Sequence, residues 1–286
     1  MTDISSVTVI GLPSSGKTTF LAALWHMVRE AGATTMLTFD TLSNGNYEHL
    51  NILAKRWRAG KIQRRTALSG MKTVTMQLKD SAAHKALISF PDIPGEDFSR
   101  MWEKRELDEQ MIETLNAPAI ALLVNGDTIQ FPAWVLERMA IANGAGLRSE
   151  ESELVAWRHE LAPTQVQIVA LLQFLMEDEL FIGDRRIALM ISAWDKVEGE
   201  ELKPMEFLQA KLPLLFQYLR SGRDPWDWRV WGLSAQGGVY EDPDKDEHFQ
   251  ETENLRELAR PSDRIRLVSE DSEVTDITAP LAWLIG

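Results

Sequence analysis

Gly11-Leu12-Pro13-Ser14-Ser15-Gly16-Lys17-Thr18 has the spacing G-x-x-x-x-G-K-[ST], a set of residue types suited to gripping a polyphosphate. The glycines let the backbone curl, with Pro13, Ser14 and Ser15 in the curl, so that main-chain N–H groups and the opening of a helix face phosphate oxygens. Lys17 then reaches the β and γ oxygens, the Thr18 hydroxyl ligates magnesium, and Thr19 caps the helix or touches the α-phosphate. The competing reading is an ordinary glycine turn. The surroundings favour the phosphate loop: Ser6 to Ile10 is a β-branched run that stops at Gly11, and Thr18 to Ala31 has helical apolar spacing.

A second constellation is Asp92-Ile93-Pro94-Gly95-Glu96, which follows the apolar run Leu87 to Phe90. A carboxylate at a strand end holds magnesium through water, and a glycine N–H three residues on can sense a γ-phosphate. Alone, Asp-x-x-Gly is a plain turn. Behind an apolar strand and downstream of the phosphate loop, it reads as the metal carboxylate, Asp92, with Gly95 as the sensing amide.

These groups need strands and helices to position them. Lys72 to Leu78 alternates like an edge strand, Ala86 to Phe90 reads as its neighbour, and Ala119 to Val124 and Ile187 to Ile191 read as buried strands. Trp228 to Leu233 has the pattern of the last central strand, and Arg264 to Val268 that of a short one. Helical patterns fall at Ser99 to Leu115, Val166 to Met176, Pro204 to Arg220 and Pro280 to Ile285, while Ala33 to Gly70 predicts helix and mobile loop. Strands alternating with helices imply right-handed crossovers and a mostly parallel sheet covered on both faces, with the ligand at the carboxyl ends of the strands. The expected fold is α/β, a three-layer arrangement in a single elaborated domain over 1–286, with an insertion at about 128–162 and an acidic extension at about 237–286.

Composition narrows the function classes. With 44% apolar residues the chain can bury a sizeable core, and its net charge of -13 repels nucleic acid and anionic lipid. The absence of cysteine excludes disulfides and thiolate metal sites, and with no signal-peptide pattern at Met1 to Ile10 a reducing cytoplasm is expected. Apolar runs such as Ile168 to Met176 and Ala117 to Val124 fall far short of the roughly 20 residues that cross a bilayer, so no integral membrane segment is expected.

On the phosphate loop and on Asp92 to Gly95, the chain resembles the TRAFAC class of P-loop GTPases, which holds Ras-like proteins, over roughly residues 6 to 235. The resemblance implies a P-loop NTPase fold, GTP and GDP as ligands with magnesium, and hydrolysis of GTP as a conformational switch. It also implies a third magnesium contact from a threonine ahead of the second strand. Thr66 is the choice, with Thr34, Thr35, Thr38 and Thr41 as competitors. Heterotrimeric-type relatives carry an arginine just before that threonine, so Arg64 or Arg65 is a candidate internal arginine finger; the bland reading is solvated charge in a basic run.

Guanine selectivity in that class comes from Asn-Lys-x-Asp, and Ser192-Ala193-Trp194-Asp195 stands in its place. Asp195 keeps the carboxylate that takes the guanine N–H protons, while Ser192 and Ala193 depart from the pattern and leave Trp194 or Lys196 to pack on the base. Leu233-Ser234-Ala235-Gln236 looks like the Ser-Ala-Lys loop, whose backbone N–H meets guanine O6. Glu96 stands where many relatives have a water-orienting glutamine, which implies slow turnover unless a partner supplies positive charge. Ser14 replaces the potassium-binding asparagine of relatives with G-x-P-N-x-G-K-[ST].

The overall layout also resembles bacterial double-GTPase-type proteins, encoded beside a second GTPase. Expected partners are therefore a protein effector or an activating partner, a second GTPase among them. Two rivals stay open: an ATP-using P-loop enzyme such as a small-molecule kinase or ATPase, and a non-catalytic nucleotide-binding module.

Overall fold

A computed structural model describes residues 5–63, 73–91, 101–107, 109–132, 161–242, 244–245 and 247–286. Its centre is set by strands that are apolar on both faces. In β5 (Ala119–Asn125), Ala119, Ala121 and Leu123 enter one core while Ile120, Leu122 and Val124 enter the other. Alternating side chains point to opposite faces, so a strand covered on both sides must be apolar throughout. β6 (Arg185–Ser192) repeats this, with Ala188 and Met190 in the first core and Ile187, Leu189 and Ile191 in the second.

Nine strands form one sheet in the order β2-β3-β4-β1-β5-β6-β7-β8-β9. Its parallel part runs β4 (Lys85–Pro91), β1 (Ser5–Gly11), β5, β6 and β7 (Trp226–Ser234). Antiparallel strands extend both sides: β3 (Thr73–Lys79) and β2 (Thr38–Asn44) beyond β4, and β8 (Arg266–Val268) and β9 (Glu273–Val274) beyond β7. With helices on both faces and the glycine loop following the first strand, this is an α/β P-loop NTPase fold.

The first core is closed by α1 (Lys17–Met27), α2 (Tyr47–Arg58) and a helix near the end of the chain, which is α9 once those between are numbered. These are α3 (Glu109–Leu115), α4 (Thr164–Phe174), α5 (Trp194–Val197), α6 (Pro204–Lys211), α7 (Pro213–Arg220), α8 (Gln250–Arg256) and α9 (Ala279–Ile285). α3, α4, α6 and α7 contribute to the second core. α2 starts where the Asn46 side chain accepts from the N–H groups of Glu48 (2.7 Å) and His49 (3.2 Å), and it buries Leu50, Leu53, Ala54 and Trp57 at helical spacing.

Two sequence expectations change here. The strand over Lys72 to Leu78 is not at the edge: β2, polar and largely exposed, pairs outside it, with Lys79 and Lys85 converging on Asp40 at 3.1 and 2.9 Å. The stretch Pro204 to Arg220 is two helices, because Pro213 has no N–H to continue the first and instead opens the second. The short strand expected at Arg264 to Val268 is β8, and it pairs antiparallel with β7 on one side and β9 on the other.

Gln130 N–H donates to the Thr164 hydroxyl at 2.9 Å, and Thr164 N–H donates to the Gln130 carbonyl at 3.0 Å, so the segment after β5 is bonded to the first residue of α4.

His26 of α1 packs its ring on Trp57 (centroids 5.1 Å apart) and lies 3.2 Å from Glu30. Burial lowers its pKa below the ordinary 6.5, and the Arg58 and Arg264 charges add to this against the pull of Glu30. The folded chain therefore refuses a proton that the unfolded chain accepts. This contribution is neutral above about pH 6.5 and destabilises as pH falls through that value. Thermal melts at about pH 7.5 and 5.5 are expected to show a larger fall in Tm for the wild type than for His26→Gln.

Candidate functional site

β1 delivers Gly11 to the carboxyl edge of the sheet, and the chain turns through 12–16 before α1 begins at Lys17. The two motif glycines serve different needs. A Cβ on Gly11 would lie 2.4 Å from the Leu123 carbonyl oxygen, so the loop packs directly on β5. Gly16 has φ +89°, a conformation that L side chains rarely adopt, and it presents its carbonyl to Phe20 N–H at 2.9 Å to start α1.

The Lys17 ammonium spans the curl, donating to the carbonyls of Gly11 (2.7 Å) and Leu12 (3.0 Å) and to the Ser15 hydroxyl (3.4 Å). Thr18 is exposed in the first turn of α1, Thr19 is half-buried beside it, and Pro13 and Ser14 are exposed. A cavity of about 360 Å³ opens alongside, lined by Pro13, Ser14, Ser15, Asn125, Thr164 and Gln167 among others. It lies between the loop and the start of α4.

Two side chains from neighbouring strand ends strap the loop. Ser192, last residue of β6, donates its hydroxyl to the Ser15 carbonyl at 2.8 Å; Asn125, last of β5, donates to the Ser14 carbonyl at 3.1 Å. Sequence reasoning assigned neither role. The sequence marks Ser192 only as a departure from asparagine and gives Asn125 no role. Asn125 also closes a turn, its Oδ1 accepting from Asp127 N–H at 2.9 Å.

The strap at Ser192 leads into the second segment. Ala193 takes a left-handed conformation (φ 54°, ψ 38°) and starts the single turn of α5. Trp194 is 4% exposed, packed edge-on against Phe207 and so close over Gly232 that a Cβ there would come within 2.3 Å of the indole. Its ring belongs to the core, so of the two side chains considered for packing on a base only Lys196 is at the surface. Asp195 accepts from the Ser234 hydroxyl at 2.7 Å, and that hydroxyl accepts from Gly237 N–H at 3.1 Å. The structure thus joins Asp195 to the loop containing Ser234 and Ala235, thirty-nine positions apart in sequence.

Thr66, Arg64, Arg65, Asp92, Gly95 and Glu96 lie outside the described residues. Among the competitors of Thr66, Thr38 and Thr41 stand on β2, with β3 and β4 between them and β1. Thr34 and Thr35 fall in the connection from α1 to β2, just before Met36 and Leu37, whose N–H groups donate to Asp276 and Thr278 at 2.8 and 3.1 Å. Among the described residues, no three His, Asp or Glu side chains gather in a way that would hold a metal ion.

A family model described as Double-GTPase 1 matches residues 8–284. The chain belongs to the Double-GTPase 1 family. Family membership supports GTP binding by this Double-GTPase 1 protein. No curated protein matches it in sequence. Among solved structures, a chain of the signal recognition particle receptor SRb-GTP/SRX complex from Chaetomium thermophilum is 14% identical, with 85% of this chain and 94% of that chain covered and a TM-score of 0.38. The GTP-bound Ski7 GTPase-like domain of S. cerevisiae is 11% identical, with 88% and 48% covered and a TM-score of 0.43. None of this chain's described helices is long and apolar enough to cross a membrane.

Proposed function

We propose that this Double-GTPase 1 chain binds GTP and GDP with magnesium and hydrolyses GTP as a conformational switch, slowly unless a protein partner completes the site. The observation that carries the reading is the frame formed by Ser192: its hydroxyl holds the phosphate loop at Ser15, and three residues later Asp195 is held by Ser234. A nucleotide needs both grips at a fixed separation, one for its phosphates and one for its base.

In this reading the loop amides and Lys17 hold the triphosphate tail. Asp195 accepts the guanine N–H protons, Lys196 packs its stem on the base, and the loop at Ser234 and Ala235 meets O6. Thr18 and Thr66 would supply hydroxyls to hold the magnesium, with Asp92 as the carboxylate that would complete the set. A few oxygen donors that leave room for phosphate oxygens and water suit that ion. Bound magnesium would neutralise charge on the β- and γ-phosphates. Gly95 senses the γ-phosphate, Glu96 aligns the attacking water, and Arg65 or Arg64 stands by as an internal arginine finger. A carboxylate at 96 opposes the anionic phosphate, which is the reason for slow turnover and for an activating partner, a second GTPase being the first candidate.

The test uses purified full chain with magnesium. GTP and GDP are expected to raise Tm while ATP leaves it unchanged, and phosphate release is expected well below about 1 per second, the range of an assisted GTPase. Equal protection by ATP would favour an ATP-using enzyme instead. Protection by GTP without phosphate release would leave a non-catalytic binding module.

A further inference from the structure

We infer that Trp57 is a positioning residue for base selectivity, acting by holding the carbonyl of Ala235 in the loop that follows β7. This rests on the reading of that loop as the contact to guanine O6. Trp57 lies in the last turn of α2, an element outside both nucleotide motifs, and it is fully buried. Its indole N–H donates to the Ala235 carbonyl at 2.7 Å, across 178 positions of sequence.

The indole has one donor and no acceptor, so this contact has a single sense. Because the peptide is planar, turning the Ala235 carbonyl toward α2 also fixes the direction of the following N–H, that of Gln236. The loop is held before, at and after that peptide: Ser234 by Asp195, the Ala235 carbonyl by Trp57, and Gly237 N–H by the Ser234 hydroxyl.

Trp57 itself has little freedom. The Arg264 guanidinium lies 4.8 Å over its ring and donates to its carbonyl at 2.9 Å, and the His26 ring packs against it. Arg264 also donates to the carbonyls of Arg58 (3.3 Å) and Leu255 (2.6 Å), which ties the C-terminal extension to the end of α2. From there the extension supports the loop directly, since a Cβ on Gly237, at φ +79°, would lie 2.6 Å from the Arg264 carbonyl oxygen. A loop fixed before the nucleotide arrives loses less entropy on binding, and its N–H groups are already aimed.

Phenylalanine at 57 keeps an aromatic ring and removes the donor, leaving the Ala235 carbonyl unpaired. The experiment compares dissociation constants for GTP, for 6-thio-GTP, whose sulfur is a weak acceptor in place of O6, and for ITP, which lacks the 2-amino group that Asp195 would bind. In the wild type both analogues are expected to bind more weakly than GTP. In Trp57→Phe the preference for GTP over 6-thio-GTP falls about fivefold while the preference over ITP is unchanged. A purely structural role would move both preferences or neither.

If the wild type shows no preference over 6-thio-GTP, the base-loop reading itself fails. If the wild type shows the preference and Trp57→Phe retains it in full, Trp57 does not position the loop. Should Trp57→Phe not fold, Arg264→Lys carries the same comparison: it leaves the indole in place, loosens its support, and is expected to reduce the 6-thio preference alone. An unchanged preference in that variant overturns the inference.

Discussion

Replacing Lys17 by alanine is expected to weaken GTP binding at least about 100-fold and to abolish phosphate release, with the fold intact. Among the described residues the ammonium donates to two carbonyls and one hydroxyl within six residues, all in the loop. These three bonds stay inside the loop, so losing them leaves the packing of both cores in place. Toward a bound nucleotide the same ammonium would make charge-assisted bonds to β and γ oxygens, each worth about 1.5–3 kcal/mol, and two of them account for a loss of that size. Titration of the variant with GTP and magnesium, beside its circular-dichroism melt, reads both quantities. GTP affinity within a few-fold of the wild type would remove Lys17 from the site.

Asp195→Asn is expected to exchange the preferred base. The carboxylate accepts two guanine N–H protons in the proposed reading, and an amide can accept one while opposing the other with its own NH2. GTP affinity should fall on the order of 100-fold, while XTP, which offers a carbonyl where guanine has its amino group, should bind the variant better than the wild type. The substitution is gentle on structure because Oδ1, which receives the Ser234 hydroxyl at 2.7 Å, is still an acceptor in asparagine. Competition among GTP, XTP and ATP on both proteins measures the exchange. A parallel loss of all three would show that Asp195 acts on the loop and does not read the base.

The phosphate loop was legible because its chemistry leaves few options. A Cβ at Gly11 would come within 2.4 Å of the Leu123 carbonyl oxygen on β5, and the turn at φ +89° needs Gly16, so both positions show in the sequence as glycines. The central strands were legible because burial on both faces forces unbroken apolar runs such as Ala119 to Val124. β2 was not legible: Thr38–Asn44 is an outer strand with mostly polar, exposed side chains, held by pairing with β3 and by Asp40, and neither leaves a period-two signal.

Within the site, what escaped the sequence was long-range. The Asn125 and Ser192 straps join strand ends to a loop 111 and 177 positions away, and no local pattern encodes such contacts. Ser192 was further obscured by standing where relatives carry asparagine, so the substitution drew attention and the hydroxyl did not. Trp194 showed the opposite failure. An aromatic between Ala193 and Asp195 suggested a stacking surface, yet Gly232 on the next strand leaves a space that its indole fills.

The central claim is that the curl of amides and Lys17 at the opening of α1 takes up a guanine nucleotide. Calorimetric titration of the folded chain with GTP and magnesium tests it most directly. The account predicts saturable binding of one GTP per chain, with GDP competing and ATP giving no heat above dilution. Folded protein that takes up no purine triphosphate under those conditions would contradict it.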